Sequence, residues 1–237
     1  MFWLHELHSV SGRFEDDFEA AVRDRWLPAV AATPGARLLL YLKQAFGAGP
    51  SYRVVTITGL RDAAAFGALA ARVAGGDLAS LARELDGLRH DVVGRLLTPL
   101  PWSPLRDLDL GAIPGEPASA EPALFMEDTV WPYEGLLDDY IARAGSHYAR
   151  EMERRATLLH VEAAFRTAHG AGRRAEVVLW QRVTEPSMLV PLFTREVPAH
   201  YRQPGTWMHD ALELRDQWES RLLRSAPWSP LEGAAAA

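Results

Sequence analysis

Pro101-Trp102-Ser103-Pro104-Leu105 returns unchanged as Pro227-Trp228-Ser229-Pro230-Leu231, 126 residues later. Such an echo constrains a fold more than any local propensity, because it means that one supersecondary unit is built twice. At the same offset Leu88, Arg89, Arg95, Leu96 and Leu97 reappear as Leu214, Arg215, Arg221, Leu222 and Leu223, so ten of the eighteen positions from Leu88 to Leu105 are identical. About one identity would arise by chance at average residue usage. Toward the N-terminus the offset shrinks: Val54-Val55 return as Val177-Val178 at 123, Asp16-Asp17-Phe18 as Asp138-Asp139-Tyr140 at 122, and Leu39-Leu40 as Leu158-Leu159 at 119. The anchors stay in order, as duplication followed by loop insertions and deletions would leave them.

Each copy opens with an apolar run bounded by turn residues, Phe2 to Val10 and Leu124 to Trp131, which reads as a strand. A helix follows, with Phe14, Phe18, Ala21, Val22 and Trp26 on one face and Leu137, Tyr140, Ile141, Ala144 and Tyr148 on its counterpart, running to about Arg155. Two strands come next, Ala36 to Phe46 and Tyr52 to Leu60 around Gly47-Ala48-Gly49-Pro50, then Ala156 to Phe165 and Ala175 to Val183 around Gly170-Ala171-Gly172. Helices are expected over Asp62 to Val73 and Leu78 to Leu97, and over Ser187 to Val197 and Trp207 to Leu223. The Pro-Trp-Ser-Pro-Leu segments are expected to be extended and to add a fourth strand, because a residue before proline avoids the helical region. The pattern is α+β: two tandem ferredoxin-like units, residues 1–105 and 124–231, with a linker over 106–123 and a tail over 232–237. A sheet covered by helices on one face leaves the other bare, so the expectation is an intramolecular pseudo-dimer around antiparallel sheets, with further homo-oligomerisation left open.

The two ends of the first copy resemble the NIPSNAP family: His5-Glu6-Leu7-His8-Ser9-Val10-Ser11-Gly12-Arg13 its opening strand and turn, and Leu96 to Leu105 its closing segment, an aromatic before Ser-Pro-Leu. The second copy matches at its end and departs at its start, where Asp128-Thr129-Val130 replaces Glu6-Leu7-His8. The resemblance implies the dimeric α/β-barrel fold, here within one chain. Relatives on that fold include cofactor-independent monooxygenases, cyclases, isomerases and haem-binding enzymes, so it implies little about activity.

Composition narrows the chemistry. The net charge of −6, without a basic block, argues against a nucleic-acid partner. The absence of cysteine removes disulfides, thiolate metal sites and a cysteine nucleophile. No apolar run is long enough to span a membrane and no signal peptide is recognisable, so the expectation is no membrane partner and a cytoplasmic location. No metal-spaced histidine pair or phosphate loop is present, so neither a metal nor a cofactor is expected.

Strand alternation puts Glu6 and His8 on one face of the first strand, where a carboxylate could orient an imidazole as a general base. Asp128 is the acid retained in copy two, while Val130 replaces His8. The alternative is structural: hydrogen bonds or ion pairs for the two acids and a partly exposed His8. At the offset of 119, Tyr41 and Lys43 match His160 and Glu162, so Tyr41 and His160 are expected to face one cavity as catalytic residues that stabilise a developing anion, and Lys43 to pair with Glu162, with a structural polar network as the alternative. Arg53, Trp180 and Trp3 are candidates for substrate binding: Arg53 for an anionic group, the tryptophans for an aromatic pocket, with a rim salt bridge and core packing as their alternatives. The resulting expectation is a cofactor-independent tailoring enzyme that abstracts a proton from a hydrophobic or aromatic small metabolite in a cavity between the units. A non-catalytic small-molecule-binding or interaction protein is the alternative, and a haem or metal enzyme the third.

Overall fold

The structure, a computed structural model, describes residues 1–155, 158–171 and 174–235. Its first half runs β1 (Phe2–Val10), α1 (Glu15–Ala21), α2 (Leu27–Ala31), β2 (Ala36–Gln44), β3 (Arg53–Leu60), α3 (Ala63–Ala74), α4 (Ala79–Gly87) and β4 (Arg89–Pro99). The second half runs β5 (Leu124–Trp131), α5 (Leu137–Arg143), α6 (Arg150–Arg155), β6 (Leu159–Thr167), β7 (Val177–Val183), α7 (Leu189–Thr194), α8 (Trp207–Asp210), β8 (Gln217–Ser225) and α9 (Pro230–Ala235). A wide π-helical turn joins α1 to α2 over Val22–Trp26 and α5 to α6 over Ala144–Ala149. Gly172, Ala156 and the last two alanines, named in the sequence reading, lie outside the described residues.

In the first unit the strands stand in the order β4-β1-β3-β2, all antiparallel, and Leu223 to Ser225 of β8 pair with β2. One face of this sheet carries the helices: Val10, Leu38, Tyr41 and Val54 pack with Phe18, Ala21, Val22 and Leu27, and a second cluster joins Val30, Ala36 and Leu60 to Leu69 and Leu78. The opposite face is also apolar and buried, through Trp3, Leu40, Leu42, Val55, Ile57 and Leu97. The second unit repeats the order β5-β7-β6, with Val130, Ala164, Val177 and Leu179 packed on Tyr140, Ile141 and Ala144.

The closing segment of each repeat is built into the unit formed by the other, Pro99–Arg106 into the second and the segment from Leu223 into the first. The repeated serine explains the conserved geometry. Tyr41 N–H donates to Ser229 Oγ at 3.1 Å and Ala164 N–H to Ser103 Oγ at 2.9 Å, each hydroxyl satisfying a backbone group that would otherwise be orphaned. The tryptophans act alike: Trp228 Nε1 donates to Glu19 and Trp102 Nε1 to the carbonyl of Ile141. These segments are turns, the second running into α9, and not the extended strands expected.

The fourth strand lies earlier, in place of the long helices expected over Leu78 to Leu97 and Trp207 to Leu223. Leu85, Leu88, Val92 and Leu96 have helical spacing, but Val92-Val93-Gly94 disfavours a helix, and the ladder of β1 takes up Arg89 to Leu97. The segment from Asp107 to Ala123 also does more than connect. It belongs to the first unit, where Leu110 and Ile113 are buried and Leu110 lies over Gly59, at which any Cβ would clash with it.

The ladders correct the repeat alignment. β2 and β6 each carry a bulge, between Leu38 and Leu40 and between Val161 and Ala163, and then pair identically: Leu40 with Ile57, Ala163 with Trp180. The offset here is therefore 123. Tyr41 corresponds to Ala164 and Lys43 to Arg166, not to His160 and Glu162.

Candidate functional site

Alternation puts Glu6, His8 and Val10 on the helix-facing side of β1, and the structure joins the first two through Thr56. Arg89 Nη1 donates to His8 Nδ1 at 2.6 Å, His8 Nε2–H donates to Thr56 Oγ1 at 2.9 Å, and Thr56 Oγ1 reaches Glu6 Oε2 at 3.5 Å. His8 is buried against Phe18, its ring 5.2 Å from that ring. Burial first, then Arg89 and His5, push the imidazole down to about 3. Burial pushes the Glu6 carboxyl up, opposed by Arg89. A histidine whose Nδ1 lone pair is taken by a guanidinium and whose Nε2 carries the proton has no basic site to offer. The expected general base is thus a member of a satisfied structural chain.

In the second unit the same positions hold different residues. Asp128 stands for Glu6, Val130 for His8 and Leu179 for Thr56, while Arg215 repeats Arg89 and Gln181 stands for Thr58, one step along the same face. Ser220 Oγ donates to Asp128 Oδ1 at 2.6 Å and Gln181 Nε2 to Asp128 Oδ2 at 2.8 Å. Tyr148 O–H donates to Gln181 Oε1. Burial pushes the Asp128 carboxyl up, against the pull of Ser220 and Gln181. Arg215, buried and stacked on Trp218 at 4.1 Å, has no acceptor for its Nε among the described residues.

Tyr148 is where this chain meets open space. A cavity of about 500 Å³ lies within the second unit, lined by Tyr148, Met152, Leu159, Leu192, Trp207 and Met208 among others. Trp207 is its aromatic wall, with ring centroids 5.7 Å from Tyr140 and 5.8 Å from Tyr148. Glu151, Arg195 and Glu196 also line it. Met188, Leu192 and Met208, all of which line it, leave exposed apolar surface at its edge. The opening has a sequence cause. In the first unit α3 and α4, of 12 and 9 residues, pack over the corresponding part of the sheet. Their counterparts α7 and α8 have 6 and 4 residues, with Pro186 before α7 and Pro198 and Pro204 between the two.

Of the residues singled out from sequence, Asp128 connects to this groove, through Gln181 and Tyr148. Glu6, His8 and Tyr41 belong to the first unit, where Tyr41 is buried between Phe18 and Trp228 with no partner for its hydroxyl among the described residues. His160 is exposed on β6 of the second unit, and the corrected offset of 123 no longer makes it the counterpart of Tyr41. Lys43 pairs within the first unit, with Glu19 at 2.5 Å and Glu15 at 3.5 Å, and Glu162 pairs within the second, with Arg182 at 2.6 Å. Arg53 starts β3 opposite Ser9, partly exposed. Trp3 and Trp180 are buried on the sheet faces away from the helices, Trp180 donating to Glu127 Oε2 at 3.0 Å. Sequence reasoning placed Tyr148 only in a helix stripe and missed Gln181, Ser220 and Trp207 as neighbours; the cluster of prolines after β7 was the available signal. Among the described residues no cluster of three or more metal-ligating side chains occurs, and no helix is long and apolar enough to cross a membrane.

No protein-family model and no curated protein matches the chain by sequence. Among solved structures it is similar to an anthrone oxidase-like protein, with a TM-score of 0.64 and 9% identity over 95% of this chain and 91% of that one. It is similar also to a protein from Lactobacillus acidophilus NCFM assigned provisionally as a monooxygenase, with a TM-score of 0.58 and 8% identity over 96% of each chain. A NIPSNAP family protein from Agrobacterium tumefaciens str. C58 aligns with 44% of this chain and 98% of its own, at 19% identity and a TM-score of 0.39. At such identities the full-length likenesses speak for the fold. The chain has the ferredoxin-like, dimeric α/β-barrel fold, written as two tandem units in one polypeptide.

Proposed function

We propose that the protein binds an apolar, ring-bearing small molecule in the groove of its second unit. The observation that carries this reading is the asymmetry of the duplication: where the first unit packs two full helices onto the sheet, the second leaves about 500 Å³ of mostly apolar space against Trp207. Groove size and lining match those of ordinary small-molecule sites, largely hydrophobic with a few placed polar groups. The test is a thermal-stability titration with anthrone, a neutral tricyclic probe. Binding to the folded state raises the melting temperature with concentration. Leu192→Trp, which fills the groove from its exposed rim, should abolish the rise without lowering the starting melting temperature. An equal rise in both proteins would place the ligand elsewhere, and no rise in the wild type would remove the reading for this ligand class.

A second reading makes the same groove the site of cofactor-independent proton abstraction. It is favoured by Glu151 and Glu196, carboxylates on the groove wall that could take a proton from a bound ligand. Oxygen uptake or a change in ligand absorbance on incubation, lost in Glu151→Gln or Glu196→Gln, separates it from binding alone.

A further inference from the structure

We infer that Tyr148 selects ligands of the groove by a hydrogen they can donate: it accepts from a hydroxyl or N–H on the ring system, and disfavours the same molecule carrying an ether there. This rests on the groove being the ligand site.

The hydrogen-bond chain has one direction. Asp128 receives two donors, Ser220 Oγ at 2.6 Å and Gln181 Nε2 at 2.8 Å. With its nitrogen held by the carboxylate, the Gln181 amide must present Oε1 to its other neighbour, which is the Tyr148 hydroxyl. A phenol has one proton, and this one is committed to Gln181. Burial holds that proton on the oxygen by pushing the Tyr148 hydroxyl far above its ordinary range. What remains is a lone pair on a side chain that lines the groove, and among the described residues no donor is recorded on it. A donor from the ligand would complete the chain. An ether oxygen in the same place would set lone pair against lone pair.

The first unit lacks the arrangement. Trp26 stands where Tyr148 stands, and Thr58 where Gln181 stands, with α3 and α4 packed over that part of the sheet. The acceptor and the open groove therefore occur together in one copy and are both missing from the other, as residues serving one purpose would be.

The experiment is a calorimetric titration of the full chain with 2-naphthol and with 2-methoxynaphthalene, which share a ring system and differ in the donor. Wild type should bind the naphthol about five- to tenfold more tightly, the equivalent of one net hydrogen bond of about 1 kcal/mol. Tyr148→Phe should bind both equally, at about the affinity of the wild type for the ether. Asp128→Asn lets the Gln181 amide turn over and frees the Tyr148 proton, so preference should move toward the ether; this variant serves if Tyr148→Phe does not fold. Equal wild-type affinities, or a naphthol preference that survives in Tyr148→Phe, would overturn the inference while leaving the groove reading in place. Binding of neither compound would remove both together.

Discussion

Arg221 donates from Nη1 to Glu127 Oε1 across 3.0 Å, on the sheet face of the second unit away from its helices. Glu127 is 1% exposed and accepts also from Trp180. Its counterpart in the first unit is His5, which meets Arg95 at 3.2 Å. The duplication has thus kept an arginine on the last strand of each repeat and changed its partner on the first.

Removing Arg221 takes from the buried Glu127 carboxylate the cation it meets at 3.0 Å. Breaking a buried pair from one side costs about 3–5 kcal/mol, whereas replacing both partners by apolar groups of similar size is often neutral. Arg221→Met should therefore lower stability to chemical denaturation by about that amount, and adding Glu127→Leu should recover much of it. A loss below about 1 kcal/mol for the single variant would contradict the burial of this pair.

Ser103 and Ser229 each satisfy a backbone N–H inside the unit built on the other repeat. An unmet buried donor costs about 1–3 kcal/mol. Ser103→Ala and Ser229→Ala should each destabilise by that amount, and their effects should add, since no partner is shared. Unchanged denaturation midpoints in both variants would mean that the repeated motif is held by its tryptophans alone.

The buried His8 makes a prediction about acid. Its imidazole is pushed from 6.5 down to about 3, so between these values the unfolded chain binds the additional proton. Stability is complete above pH 6.5 and drains as pH falls toward 3, at about 1.4 kcal/mol per unit. From pH 6.5 to 4.5 the wild type should lose on the order of 2–3 kcal/mol more than His8→Gln. Glu6, pushed upward by burial, works in the opposite sense: the folded state holds its proton longer, so that group's contribution declines as pH rises, in both proteins. Parallel pH dependences would show that His8 is not held neutral.

The groove separates residues that support it from residues that only line its rim. Trp207 is 7% exposed and stacks on Tyr140 and Tyr148, so Trp207→Ala should cost about 3–5 kcal/mol. Leu192 is 43% exposed, and Leu192→Ala should shift stability by less than about 0.5 kcal/mol while weakening anthrone binding. Calorimetric unfolding with and without anthrone checks both; comparable destabilisation by the two would undo the distinction.

The repeated pentapeptide was enough to read two ferredoxin-like units from the sequence, because ten matched positions outweigh any ambiguity in local propensity. The last strand of each repeat was not legible. Leu88, Val92 and Leu96 have helical spacing by coincidence, and only the β1 ladder decides against a helix. The bulges in β2 and β6 hid the true offset of 123, and with it the partners of Tyr41 and Lys43. Glu6 and His8 were correctly placed on one face, but alternation says nothing about Arg89, eighty-one residues away, whose guanidinium occupies the lone pair a base would need. Asp128 was singled out as an acid; its route to open space through Gln181 and Tyr148 required coordinates.

The measurement closest to the centre of this account is a crystal structure of the chain grown with 2-naphthol. Ring density is expected in the second unit between Trp207, Met152 and Leu192, with the naphthol oxygen within hydrogen-bonding distance of Tyr148. A ligand bound elsewhere, with the groove closed by α7 and α8, would contradict it.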